Sequence, residues 1–370
     1  MRVPRFSATV LVWLLVASLF VPLAASAATA EAALVQAAKA EGKVVVYAYS
    51  SRIADVKRSF EAAYPGITVE ASDMKAYEVI EKIGREADAG VRNADVILTS
   101  DEGSLVNDLL KRKVVTNYVP ADLVPVIPQP LRSPLLVMFI QFNVPFYNTK
   151  LYSAPPIDSW WDLTRPEWKG KVLMQDLLSS AETWGMFIAM VQHSDEMAAA
   201  YRKEFGQEIR VRKGETAGHE FMRKLLMNDP VFMNSGSDVV DAIGKSDKPL
   251  IGLASSPKLR DVVQKKLPLE VAWKLSPAIG VTSRAYIAMM NKAPHPNAAK
   301  LLIRWLMGDT KGGQGFAPYY VPGSWSSRSD VPAPPATPAW NDLKIWQEDP
   351  AFIWKEGLQV RDFWISIAKK

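Results

Sequence analysis

The chain has no cysteine among its 370 residues and only three histidines. Without cysteine there is no disulfide, no thiolate zinc site and no lipid-modified cysteine behind a leader. The fold must therefore rest on its hydrophobic core. His193, His219 and His295 are scattered, and none stands beside a serine in a nucleophilic arrangement. Neither Ser235 nor Ser237 has glycine both two residues before and two residues after it, so there is no nucleophile elbow. Gly244-Lys245-Ser246 imitates the end of a phosphate-binding loop, but Val239 stands where the first glycine belongs. Gly312-Gly313-Gln314-Gly315 follows no predicted strand and is no dinucleotide fingerprint. Lysine and arginine number 44 against 39 acidic residues, with a pI near 9.1, yet no basic run exceeds Lys111-Arg112-Lys113. Nucleic-acid binding would call for a concentrated stripe. These absences argue against an enzyme and against a nucleic-acid partner.

What is present begins with a leader. Arg2 and Arg5 precede an apolar run from Phe6 to Ala24, and Ala25-Ser26-Ala27 has the small-x-small form of a cleavage site. A single membrane anchor is the rival reading. The run is at the lower limit for spanning a bilayer and breaks at Pro22, which favours cleavage after about Ala27 and a periplasmic mature protein. After Ala27 no apolar run is long enough to span, so no stable membrane insertion is expected. The remainder is long enough for roughly two domains.

Along that remainder strands and helices alternate. Lys43–Tyr49 reads as a strand buried on both faces, followed by a helix over Ile53–Tyr64. Ile67–Ala71 is a second strand before a helix over Met74–Ala89, and Ala94–Leu98 a third before a helix over Ser104–Lys111. This order implies an open α/β sheet. In such sheets ligands sit beyond the carboxyl ends of the strands. The polar residues there become candidates: Ser50, Ser51 and Arg52, then Asp73 and Lys75, then Ser100, Asp101 and Glu102. Each also has a simpler reading as a loop residue or helix cap. Further on, Val172–Gln175 reads as a strand and Ala181–Gln192 as a helix, placing Ser179, Ser180 and Thr183 at a helix start suited to an anionic group. Ser235, Ser237 and Asp238 open another helix after the extended piece Val231–Asn234.

The most distinctive stretch is Phe142–Met174, FNVPFYNTKLYSAPPIDSWWDLTRPEWKGKVLM. Its Asn-Thr pair, its Ser-Trp-Trp-Asp-Leu and its Glu-Trp-Lys-Gly-Lys resemble the middle of the solute-binding proteins that feed ABC transporters. Ala285–Asp309, AYIAMMNKAPHPNAAKLLIRWLMGD, with Gln314 after it, resembles their return segment, and Lys245–Leu253, KSDKPLIGL, the loop and strand before it. The branch indicated is family 1, iron(III)-type, of the type II periplasmic binding fold. The resemblance implies a two-lobed α/β protein in which each lobe is an open mixed sheet flanked by helices, joined by crossing strands. On this reading residues 28–136 and 279–309 form the first lobe, 137–141 a hinge crossing, and 142–278 with the tail 310–370 the second.

The implied function is capture of a small solute by lobe closure and delivery to a permease and its ATPase, by a monomer without cofactor, metal or catalysis. Arg52, Lys75 and the serines at helix starts favour a small organic anion, phosphorylated, phosphonate or carboxylate; Asp101, Glu102 and Asp238 argue for an amine or zwitterion. Ferric-ion and polyamine binding are alternatives, as is presentation of ligand to a membrane receptor. Ferric members of the branch carry an adjacent tyrosine pair in the second lobe, but Gly252–Trp273 holds no tyrosine, and Tyr319-Tyr320 lies after the return helix. Trp340, Trp346, Trp354 and Trp364 follow the Pro-rich loop Val331–Pro338 and are read as packing.

Overall fold

The computed structural model describes residues 21–178 and 180–368. Of the expected leader, 1–27, residues 1–20 lie outside them and 21–27 form the start of the helix Val21–Glu41. Along the chain the strands are β1 (Lys43–Ala48), β2 (Thr68–Asp73), β3 (Val96–Thr99), β4 (Val115–Thr116), β5 (Leu136–Gln141) and β6 (Asn143–Asn148). They continue with β7 (Val172–Gln175), β8 (Val231–Met233), β9 (Ile251–Ser255), β10 (Leu269–Val271), β11 (Ser283–Met290) and β12 (Trp325–Ser326). Two mixed sheets result. One has the order β12-β5-β11-β3-β1-β2 with β4 beside β11, the other β10-β6-β9-β7-β8. The α/β two-lobed architecture read from the sequence is thus the observed one.

Each sheet is parallel where helices return the chain and antiparallel where the chain crosses between lobes. Strand β1, KVVVYA, lies parallel between β2 and β3 and is buried almost throughout, as a continuous β-branched run with helices on both faces should be. Strands β7, β8 and β9 are the parallel part of the second sheet. Asp95, fully buried before β3, accepts the Val45 backbone N–H at 2.8 Å and the His295 backbone N–H at 2.7 Å, with His295 Nδ1 at 2.9 Å. His295 is therefore a joint between the first strands and the return helix Pro296–Leu306.

The Ser-Trp-Trp-Asp segment is a capped 3-10 turn. Ser159 Oγ accepts from the Trp161 backbone N–H, and Asp162 reaches back to the Ser159 N–H at 3.1 Å. Both indoles are buried and donate to carbonyls, Trp160 to Ala278 and Trp161 to Met197. The motif fastens the start of the second lobe to the return crossing.

The chain passes between lobes three times. The first passage is the single residue Phe142, between β5 and β6. The expectation of a crossing at 137–141 fails because that run is strand β5, held inside the first sheet by β11 and β12. The second passage is 272–282. The third runs beside it: the Ile279 N–H donates to Lys344, Trp346 to Gly280, and Thr282 to Trp346. Phe142 stacks on Trp325 at 5.0 Å, with Trp273 and Trp340 edge-on to it, so the pivot is an aromatic cluster. Gly280 and Gly323 let backbones meet there. A methyl at Gly280 would fall 2.9 Å from the Asn143 carbonyl, and one at Gly323, whose φ is +81°, 2.1 Å from that of Ser256.

The tail is divided, where the sequence reading gave all of 310–370 to the second lobe. Phe316, Tyr319 and Val331 are buried in the first lobe's core, and β12 pairs with β5 there. The C-terminal helix Pro350–Ala368 packs on the second lobe, with Phe187 and Trp364 rings 5.1 Å apart, and so does Trp346, stacked on His193 at 4.7 Å. That helix also touches the first lobe, where Asn107 Nδ2 donates to the Pro350 carbonyl at 2.9 Å.

Candidate functional site

A cavity of about 860 Å³ opens between the lobes. From the first lobe it is lined by residues that follow β1, β2 and β3, among them Tyr49, Lys75, Tyr77, Ser100, Asp101 and Glu102. From the second lobe come Gln175, Leu178, Ser180, Glu182, Trp184 and Asn234, around the start of the helix Ala181–Gln192. The third passage and the C-terminal helix supply Glu348, Ile353, Leu358, Arg361 and Ile365. The strand ends aim polar groups into the cleft because the sheet's parallel strands all finish on that edge.

One corner of the cavity is acidic. Asp101 caps the short helical turn Glu102–Ser104, accepting the Ser104 N–H at 3.0 Å and the Ser104 hydroxyl at 3.1 Å. Burial raises its pKa, against those hydrogen bonds. Glu102 is buried and pairs with Arg284 of β11 at 3.1 Å. Glu348 lies beside Glu102. Burial, then the Glu102 charge, push its pKa well above the usual carboxylate range, with Arg284 opposing. The buried Oε2 of each carboxyl finds no donor among the described residues. A π-helical turn, Leu105–Leu110, follows this corner, a local unwinding that is common at functional sites.

A basic group lies at the seam between the lobes, beside the cavity but not among the residues that line it. Arg52 sits 5.7 Å over the Tyr319 ring and enters no ion pair among the described residues. Burial lowers its pKa, and Arg260 of the opposite lobe lowers it further. Lys258, just after β9, donates to Ser237 Oγ at 2.8 Å, and burial lowers its pKa too, while Asp261 opposes. Ser237 passes the contact on to Asp261, which Arg260 holds at 2.7 Å. Asp261 thus stays ionised below its ordinary range in spite of burial. Between the corners Gln141 of the first lobe donates to Glu182 of the second at 3.1 Å, so a polar bridge spans the cleft.

Of the residues singled out in the sequence, Lys75, Ser100, Asp101, Glu102 and Ser180 line the cavity. Ser180 also caps its helix, accepting the Thr183 N–H at 3.2 Å. Thr183 is buried behind it, accepting from Asn143 at 3.3 Å. Ser50 and Ser51 form the turn whose carbonyls accept from Ile53 and Ala54, and Arg52 stands at the basic corner. Asp73 is exposed at the end of β2, with a pKa raised by partial burial. Ser235 and Asp238 cap each other, Ser235 Oγ accepting the Asp238 N–H at 3.1 Å. Ser237 is engaged by Lys258 and Asp261. Ser179 lies outside the described residues. Sequence reasoning missed Tyr49, Glu182, Lys258, Arg260, Arg284 and Glu348. Lys258 and Arg260 were within reach, since they follow a predicted strand as the chosen residues do. Glu348 had no local signal, because only the third passage brings it to the cleft.

A family model described as bacterial extracellular solute-binding protein matches residues 55–352. The chain belongs to this family of bacterial extracellular solute-binding proteins. Among curated proteins none matches it by sequence. Solved structures share the fold. Iron-bound HitA from Pseudomonas aeruginosa has a TM-score of 0.69 at 15% identity, covering 88% of this chain and 99% of that one. Apo ferric ion-binding protein A from Pasteurella haemolytica has 0.69 at 17%, covering 88% and 98%. AfuA from Actinobacillus pleuropneumoniae, with exogenous fructose-6-phosphate bound, has 0.67 at 15%, covering 89% and 99%. The solute-binding family is one of binding proteins, which fits a cleft lined by polar groups. No helix among the described residues is long and apolar enough to cross a membrane.

Proposed function

We propose that this solute-binding protein is the periplasmic capture component of an ABC importer. A small organic solute enters the cleft, touches both lobes, and stabilises the closed arrangement because it binds that state better than the open one. The closed form then docks on a permease, whose ATPase supplies the energy. The observation that carries the reading is the basic corner. Arg52 from one lobe faces Lys258 and Arg260 from the other; Arg52 and Lys258 are desolvated, with Asp261 and, for Lys258, Glu182 to offset them. Cations held apart in this way gain when an anionic group enters between them. A solute bearing a phosphate, phosphonate or carboxylate group fits that need, and the sugar phosphate in AfuA is such a compound.

Ferric ion fits less well. The described carboxylates and histidines offer one set close enough to share an ion, Asp158, Asp162 and Glu204, and Arg165 already pairs with the last two. Tyr319 is packed against Phe139 at 5.5 Å, which takes it up in the first lobe's core. The test is thermal shift together with small-angle scattering on the mature protein, screened with phosphorylated, phosphonate and carboxylate compounds. A binding anion raises the melting temperature and lowers the radius of gyration. Tight binding of ferric ion or of purely cationic polyamines, with no response to any anion, overturns the reading.

A further inference from the structure

The acidic corner is unlike the other carboxylates of the cavity. Glu182 is held by Gln141 and Ser180, Asp101 by Ser104, and Glu81 by Arg85. Glu102 and Glu348 are different: each keeps an Oε2 shut off from solvent with no donor. Glu102 is 3% exposed. Among the described residues Arg284 is the one cation that meets the pair. It also donates to Gln347, so a single positive charge faces two carboxyls. Leaving a buried acceptor unmatched costs more than a typical hydrogen bond gains. The cations that line the cavity elsewhere do not relieve it. Lys75 and Arg361 are exposed, Lys75 lying over the Tyr77 ring and Arg361 beside Asp362.

From this we infer that Glu102 and Glu348 form the binding subsite for an ammonium group of the solute, so that the captured molecule is a zwitterion with its cationic end at the third passage and its anionic end at Arg52. The inference rests on the solute-capture reading and adds the second charge to it. A primary ammonium offers three donors, enough for both free Oε2 atoms and one more acceptor. Beside the pair, Ile353, Leu358 and Ile188 form an apolar wall that covers a methylene stem. Glu348 comes from the tail rather than from either lobe's sheet, so the segment that follows the return helix chooses the solute. When the ammonium enters, a proton held by Glu348 leaves to solvent and the carboxylate left behind is neutralised by the ligand.

The experiment is titration calorimetry and thermal shift on the mature protein with matched probes: butyrate against γ-aminobutyrate, octanoate against ω-aminooctanoate, and ethyl phosphate against phosphoethanolamine. At least one amino-bearing member binds about tenfold more tightly than its amino-free partner. Glu348→Gln abolishes that preference while leaving the amino-free partner's affinity unchanged. Glu348→Ala serves as the second variant, and Glu102→Gln reports on the same pair from the first lobe. Calorimetry in buffers of different ionisation enthalpy shows proton release for the wild type and none for Glu348→Gln. Equal or tighter binding of the amino-free members overturns the ammonium subsite and leaves solute capture standing. So does an amino preference that survives in Glu348→Gln. A panel with no response from any member overturns both.

Discussion

At one end of the cleft Arg52, Lys258 and Arg260 face one another from opposite lobes, each already touching protein: a tyrosine ring, a serine hydroxyl, a neighbouring carboxylate. At the other end Glu102 and Glu348 press together with a single arginine and two oxygens unmet. The basic end is built across the two lobes, so it changes when the lobes move. The acidic end joins the first lobe to the third passage, so it belongs largely to the pivot side and is preformed. On the proposed function, a solute that needs both ends is held first by the acidic pair and then by closure. Burial shifts Arg52 and Lys258 at one end and Glu348 at the other toward their neutral forms.

The largest effect should come from removing what the two ends share. Phe142→Ala empties the aromatic cluster at the pivot and should destabilise the fold by about 3–5 kcal/mol, with ligand-induced closure lost in small-angle scattering. Retention of both would mean that the pivot lies elsewhere. Next, Arg52→Ala should weaken anion-bearing probes by about 2–3 kcal/mol with little change in melting temperature; an unchanged affinity measured by calorimetry would take Arg52 out of the site. Lys258→Ala should weaken the same probes about tenfold, because Arg52 and Arg260 remain to hold the anionic group.

The acidic end can be sharpened with pH. Glu348 has a folded-state pKa raised above its ordinary value by burial and by Glu102. The folded state therefore keeps a proton that the unfolded chain has lost. Its contribution to stability is fully present below the ordinary glutamate range and falls away as pH rises through the folded value. Facing it are Asp101, Glu102, Arg284 and Tyr286. Ligand-free wild type should lose melting temperature over that window, and Glu348→Gln should lose less; equal slopes would mean that Glu348 is not the buried acid. The smallest effect is expected at Ser235→Ala, which removes a helix cap and should cost about 1 kcal/mol of stability without altering affinity. A loss of affinity there would return Ser235 to the ligand's contacts.

The difference between the ends also marks what sequence can carry. The strands β1 and β7 and the helix Ala181–Gln192 were legible because their apolar periodicity and flanking turns are local. The helix Ser194–Phe205 was not, since a single residue separates it from its predecessor and that residue, His193, reads as a stop. The run Leu136–Gln141 reads equally well as a crossing or a central strand; β12, nearly two hundred residues later in the chain, decides it by pairing. In the site, residues directly after predicted strands were found, including Arg52 and Glu102. Their function-setting neighbours come from other passages: Lys258 from the opposite lobe and Glu348 from the tail. A rule that reads each strand end alone finds the first lobe's half of a charge arrangement and misses the half that completes it. The serines show the converse. Ser235 and Ser180 look alike in sequence, each opening a helix, yet only Ser180 lines the cavity.

The most direct test is a double-mutant cycle by titration calorimetry, with wild type, Arg52→Ala, Glu348→Gln and the double variant each measured against phosphoethanolamine and ethyl phosphate. If one solute spans the cleft, Arg52→Ala weakens both compounds alike and Glu348→Gln weakens only the amino-bearing one. The two losses then add in the double variant, because the groups contact opposite ends. Identical affinities in all four proteins, or a Glu348→Gln effect on ethyl phosphate as large as that on phosphoethanolamine, would contradict the account.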